Sequence, residues 1–199
     1  MMTQVVCLDK PTKINNPTDR QLEMKPRDRV YLVLAATNAL YARFLRWLMG
    51  SNVNHAMIVY ADRTWGDWWA VEVDERGVRL APLYTLRKRY LRYEFYRCDD
   101  AEYALAFPAM RNEVGARYDW LALGINVFRY IVWGISGKRW LSPLHSLSRM
   151  MCTEFLVHFM QKAGIDGADE LTPSLTSPVA LQEFFNTHSD IHRVEGAGG

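Results

Sequence analysis

Three cysteines and five histidines are the side chains from which nucleophilic chemistry could be built in this chain. Cys7, Cys98 and Cys152 are odd in number and lack CxxC spacing. They therefore read as free thiols, not as a disulfide framework or a zinc site, and no metal or other cofactor is expected. Cys152 follows a loop rich in Ser and Pro and opens an apolar helical pattern with Glu154 in its first turn. A thiol at a helix N-terminus meets unpaired amide donors and the positive end of the dipole, both of which favour thiolate. Taken alone, a buried core cysteine is the commoner fate. A thiolate nucleophile needs an imidazole partner. His188 and His192 fall in a polar tail, His145 in a loop, and His158 well around the helix from Cys152. His55 instead begins a strand, where a side chain can face a cleft; taken alone it reads as a strand-end histidine bonded to a carbonyl. A third group must hold the imidazole tautomer. Glu72, inside the apolar run Ala70-Val71-Glu72-Val73, is costly to bury unpaired. Asp74 competes for the role, because register is not fixed by sequence.

The elements that must position these residues follow from periodicity and turn chemistry. Arg29 to Ala35 reads as a buried strand. Thr37 offers an N-cap for a helix through Leu48, closing at Gly50; its Arg43 and Arg46 face could sit on a membrane, but a solvated arginine face over a packed core is the commoner arrangement and the one expected. His55 to Tyr60 and Trp69 to Val73 suggest a hairpin, and alternation puts His55, Met57 and Val59 on one face. Gly77 permits a turn into Val78 to Leu80, which Pro82 ends, and Arg92 to Arg97 reads as a further strand. Asp99 or Asp100 is expected to cap a helix to about Val114, kinked or broken at Pro108, with Gly115 as its stop. Asp119 to Trp133 is expected to be helical, Gly134 to Ser148 a loop, and Cys152 to Lys162 a helix stopping at Gly164. After turns at Thr172-Pro173-Ser174 and Ser177-Pro178, a short helix is expected around Val179 to Phe185. There is no internal repeat.

Bulk properties narrow the function classes. The 199 residues suit a flexible or docking arm over 1–27 and one domain over 28–199. With 49% hydrophobic residues the chain can bury a core, and a net charge of +2 gives no electrostatic case for nucleic acid. The basic and aromatic run Arg87 to Tyr93 accordingly reads as a solvated strand edge. Met1 to Asp28 has no signal-peptide pattern, so synthesis in the cytoplasm is expected, with delivery to the cell envelope only as part of an assembly.

Several segments, in order, resemble the permuted branch of the papain-like, NlpC-type cysteine hydrolases, in the YiiX/YebB-like amidase group. These are Asp28-Arg29-Val30-Tyr31-Leu32, Asn54-His55-Ala56-Met57-Ile58-Val59-Tyr60, Ala70-Val71-Glu72-Val73 with Gly77-Val78 and Pro82-Leu83, Gly115-Ala116-Arg117-Tyr118-Asp119, Cys152-Thr153-Glu154-Phe155-Leu156, and Thr172-Pro173-Ser174. The order His, Glu, Cys is that of the permuted group. Departures are Thr153 in place of a usual Ser, no acid after Ser174, and a Trp-rich insert around Arg63 to Trp69. The resemblance implies an α+β, permuted papain-like fold with an antiparallel sheet packed against helices. It implies Cys152 as nucleophile, His55 as base, Glu72 as orienting acid, and Tyr118 lining the site as a possible oxyanion donor. The implied activity is that of a cysteine amidase or peptidase acting through an acyl-enzyme on cell-wall stem peptides or similar small amides. Two alternatives stand beside it. One is a non-catalytic docking component, for example of a viral tail or secretion assembly, tethered by the N-terminal arm. The other is a lipid acyltransferase or thioesterase, against which stands the absence of the Asn-Cys-Glu type of start around Cys152; membrane contact is not the leading expectation.

Overall fold

Branched and aromatic side chains crowd Val30–Thr37 (β1), an inner strand of the sheet. In the computed structural model, residues 30–61, 68–86, 88–99, 101, 103–119, 121, 124, 125, 127, 128 and 149–194 are described. β1 is paired on its two sides with β2 (His55–Ala61) and β5 (Tyr90–Cys98). β3 (Trp68–Asp74) adds to β2, β4 (Gly77–Pro82) to β3, and β8 (Ile191–Arg193) to β5. The result is a six-stranded antiparallel sheet in the order β4-β3-β2-β1-β5-β8. Among the described residues the helices include α1 (Leu40–Met49), α2 (Leu83–Leu86), α3 (Tyr103–Glu113), α4 (Cys152–Lys162) and α5 (Pro178–Thr187). The chain is thus α+β.

Both faces of the sheet are buried, so its strands carry apolar residues at odd and even positions alike. Leu32, Leu34, Ala56, Ile58, Val71 and Tyr96 pack with α3, α4 and α5. The opposite face gathers Tyr31, Val33, Met57, Val59, Ala70 and Phe95, closed over by Leu83 and Leu86 of α2. Strand alternation places His55 and Glu72 on this second face, with Met57 and Ala70.

A small parallel pair, β6 (Arg117–Tyr118) with β7 (Arg149–Met150), sets where α4 begins. The Val78 amide donates to the Ala116 carbonyl and the Gly115 amide to the Val78 carbonyl, both at 2.8 Å, so β6 is fastened to β4. Because β7 ends two residues before Cys152, the pairing of Tyr118 with Met150 carries Cys152 to the sheet. Gly77 makes the close approach possible. Its φ of +106° suits glycine, and a Cβ there would lie 2.0 Å from the Ala116 carbonyl oxygen.

Several expected boundaries are corrected. Thr37 does not cap α1 but ends β1, its amide and hydroxyl both bonded to Asn54; the helix starts after Ala39, which has no side-chain cap. Asp99 pairs with Arg97, and α3 starts only at Tyr103 and runs unbroken through Pro108. The face of α1 is also turned the other way: Ala42 is its buried residue, Arg46 points inward, and Leu40, Phe44 and Trp47 point out. The expected arm over 1–27, the loop over Gly134 to Ser148 and most of the helix expected over Asp119 to Trp133 lie outside the described residues.

Candidate active site

The start of α4 is shaped by its own first turn. Met151 is extended, its amide donates to Glu154 Oε2 at 3.3 Å, and the Phe155 amide returns to the Met151 carbonyl at 2.9 Å. Cys152 therefore sits at the first helical position, buried, where the amides of the opening turn have no partner within the helix.

His55 is set by the residue before it. Asn54 accepts from the Thr37 amide (3.0 Å) and from Arg46 Nη1 (2.8 Å), and its own amide donates to the Ala35 carbonyl. Arg46 also caps the Thr37 carbonyl at 2.8 Å. This clamp joins the end of β1, helix α1 and the start of β2, and fixes where the imidazole emerges. Arg46 is thereby a structural tie, not part of a solvated stripe.

On the next strand Glu72 is fully buried, and its Oε2 lies 3.7 Å from His55 Nε2, an ion-pair distance longer than a hydrogen bond. The same oxygen accepts the Tyr90 hydroxyl, and the Tyr90 ring stacks on His55 at 5.4 Å between centroids. Oε1 is held by Arg79 and by Arg89 Nη1, the latter at 3.2 Å. Asp74, the competing candidate, faces the arginines instead, 2.8 Å from both Arg79 Nε and Arg89 Nη1. Of the two acids, Glu72 is the one against the imidazole.

The charges reinforce one another. Burial works against an imidazolium at His55, yet the Cys152 thiolate beside it, and then Glu72, raise its pKa to about 9. Burial likewise opposes a thiolate, but the His55 charge and hydrogen bond, with the amides of Ala56 and Thr153, lower the Cys152 pKa. At Glu72 burial is overcome by His55, the Tyr90 hydroxyl and Arg79, which bring the carboxyl down to about 2. The arrangement favours a thiolate–imidazolium pair with a charged acid behind it.

Tyr118 is half-buried and pairs with Met150, two residues before Cys152, and its phenol is raised by burial and then by the charge of Cys152. Tyr41, on α1, also feels the Cys152 charge, after burial and Glu75. The structure therefore brings Cys152, His55 and Glu72 together, with Tyr118 on the strand paired to the one that leads into Cys152. Cys98 lies elsewhere in the core beside Tyr103, His188 stands near Asp166 and His192 near Asp99. Cys7 and His145 lie outside the described residues. Tyr90, Arg79, Arg89 and Tyr41 are additions that sequence reasoning missed. A basic and aromatic run did mark positions 87–93, but only their hydrogen bonds show that Arg89 and Tyr90 turn toward Glu72.

No protein-family profile matches the chain, and no curated protein does. Solved structures do: the chain is similar to metalloprotein yiiX from Escherichia coli O157:H7, with a TM-score of 0.56 and 13% identity, over 86% of this chain and 97% of that one. This similarity is one of fold and fits the YiiX-like group. Among the described residues of this chain, no three His, Cys, Asp or Glu side chains are grouped as metal ligands.

Proposed function

We propose that this protein is a cysteine hydrolase of the permuted papain-like, NlpC-type kind, cleaving amide bonds through an acyl-enzyme. The observation that carries the reading is the convergence of a helix-start thiol, a strand-start imidazole and a buried carboxylate on one point. The Cys152 sulfur attacks the carbonyl carbon, and the carbonyl electron pair moves to oxygen. The Cys152 backbone amide and the Tyr118 hydroxyl are the proposed donors to that oxyanion. As the carbon–nitrogen bond breaks, His55 gives its proton to the leaving amine, leaving a thioester. Neutral His55 then takes a proton from water, whose oxygen attacks the thioester and releases the acid and the thiolate. Glu72 keeps the imidazole oriented and stabilises its charge. Stem-peptide amides of the bacterial cell wall and similar small amides are the proposed substrates.

The test is an intact-mass experiment with an activated acyl ester such as p-nitrophenyl acetate. The reading expects one acyl adduct, mapped to Cys152, forming at least about a hundredfold faster in wild type than in His55→Ala. An adduct on another residue, or equal rates in the two proteins, would count against it. Acyl transfer or thioester hydrolysis on lipids is a second reading, favoured by the exposed apolar face of α1.

A further inference from the structure

We propose that α1 is a membrane-docking element that lies on an anionic bilayer surface. Leu40, Tyr41, Phe44 and Trp47 are 82%, 51%, 48% and 77% exposed. Their spacing of i, i+4 and i+7 places Leu40, Phe44 and Trp47 on one outward face, opposite buried Ala42. The Phe44 and Trp47 rings lie 5.9 Å apart, so the face is a continuous apolar ridge. A soluble helix normally turns such a stripe inward. Here the inward side is committed to the Arg46–Asn54–Thr37 clamp, so the apolar ridge has to remain outside.

Size and charge favour a bilayer over a second copy of the chain. Four such side chains expose roughly 500 Å², given about 150–250 Å² for each large ring. That is below the about 800 Å² per partner of a stable protein interface, yet ample for shallow insertion. The helix has no acidic residue, and exposed Arg43 borders the ridge. The Asn38 amide donates to the Arg89 carbonyl at 2.9 Å, which brings exposed Lys88 beside the start of α1. Cations at the border with Trp and Tyr on the ridge suit a negatively charged headgroup layer. At 10 residues α1 is too short to cross a bilayer and would lie in the interface. Asn54, which accepts from Arg46 of α1, directly precedes His55, so the ridge and the candidate site share one clamp.

The test is co-sedimentation of the full chain with phosphatidylcholine vesicles, with and without phosphatidylglycerol. Binding is expected to the mixed vesicles, weaker to phosphatidylcholine alone, and weaker again as salt rises. Phe44→Ser with Trp47→Ser should lower binding at least about tenfold. Because both residues are exposed, circular dichroism should show the double variant folded as wild type. Cys152→Ser should bind like wild type, which separates this proposal from the thiol chemistry: loss of acylation in that variant bears only on the hydrolase reading. Vesicle binding that the double variant leaves unchanged, or no binding by wild type, overturns the proposal. A concentration-dependent dimer that the double variant abolishes, without vesicle binding, also overturns it and assigns the ridge to a second copy.

Discussion

Tyr90 does two things at once for the candidate site: its hydroxyl bonds Glu72 Oε2 and its ring lies against the His55 imidazole. The two roles are separable. Tyr90→Phe keeps the ring and removes a charge-assisted hydrogen bond from a buried carboxylate, so stability should fall by about 1.5–3 kcal/mol, read by urea unfolding. Alkylation of Cys152 should stay close to the wild-type rate, since Oε2 is left to the imidazole. Tyr90→Leu removes the stack as well and should slow alkylation roughly tenfold, equivalent to about 1.4 kcal/mol. Equal alkylation rates in the two variants would contradict a positioning role for the ring. At this scale the sequence was partly legible. A strand-start histidine and an acid inside an apolar run could be picked out because each is unusual for its place. Their partners could not: Tyr90 and Arg89 lie 18 and 17 residues from Glu72, and only the pairing of β3, β2, β1 and β5 in one sheet brings them together.

At the scale of elements, the turn at Gly77 decides whether β6 can lie against β4. Gly77→Ala forces a Cβ into the Ala116 carbonyl and into a φ that side chains disfavour. A loss of about 3 kcal/mol is expected in thermal or urea unfolding, combining backbone strain with overpacking. A loss under about 0.5 kcal/mol would show that β6 is not fastened as described. Central strands and the Cys152 helix were readable because their patterns are long and have clear stops. The three-residue β8 was not, because Ile191-His192-Arg193 carries no strand signal of its own and is formed by pairing with β5. Helix α1 shows a different limit. Its amphipathic pattern was plain, but the direction it faces is decided by Asn54 pulling Arg46 inward, which periodicity alone does not reveal.

For the whole molecule, the buried charges set how stability depends on pH. Glu72 ionises near pH 2 when folded, against an ordinary 4.5. Its contribution is complete above about pH 4.5 and is lost as pH falls toward 2. His55 is raised from 6.5 to about 9, so its contribution is complete below about 6.5 and is lost as pH rises through 9. Cys152, lowered from 9 by His55, has the opposite sign: its contribution is complete above about pH 9 and is lost as pH falls, so it offsets the His55 loss between about 6.5 and 9, and the urea midpoint should be highest across that plateau and fall on its acid side. Glu72→Gln should cost about 3 kcal/mol near neutrality and flatten the acid limb. An acid limb as steep in Glu72→Gln as in wild type would place its origin elsewhere. The α+β class and antiparallel sheet were legible from the sequence as a whole. The sharing of one sheet between two buried faces was not, since it depends on which helices cover which side.

The most direct test of the account is the rate of iodoacetamide alkylation of Cys152 as a function of pH, in wild type and His55→Ala. A thiolate–imidazolium pair predicts fast labelling well below pH 8.5, the range of a free cysteine, and a shift of the curve toward that range in the variant. Slow labelling that rises only near pH 8.5 and is unchanged by His55→Ala would contradict the pair and, with it, the hydrolase reading.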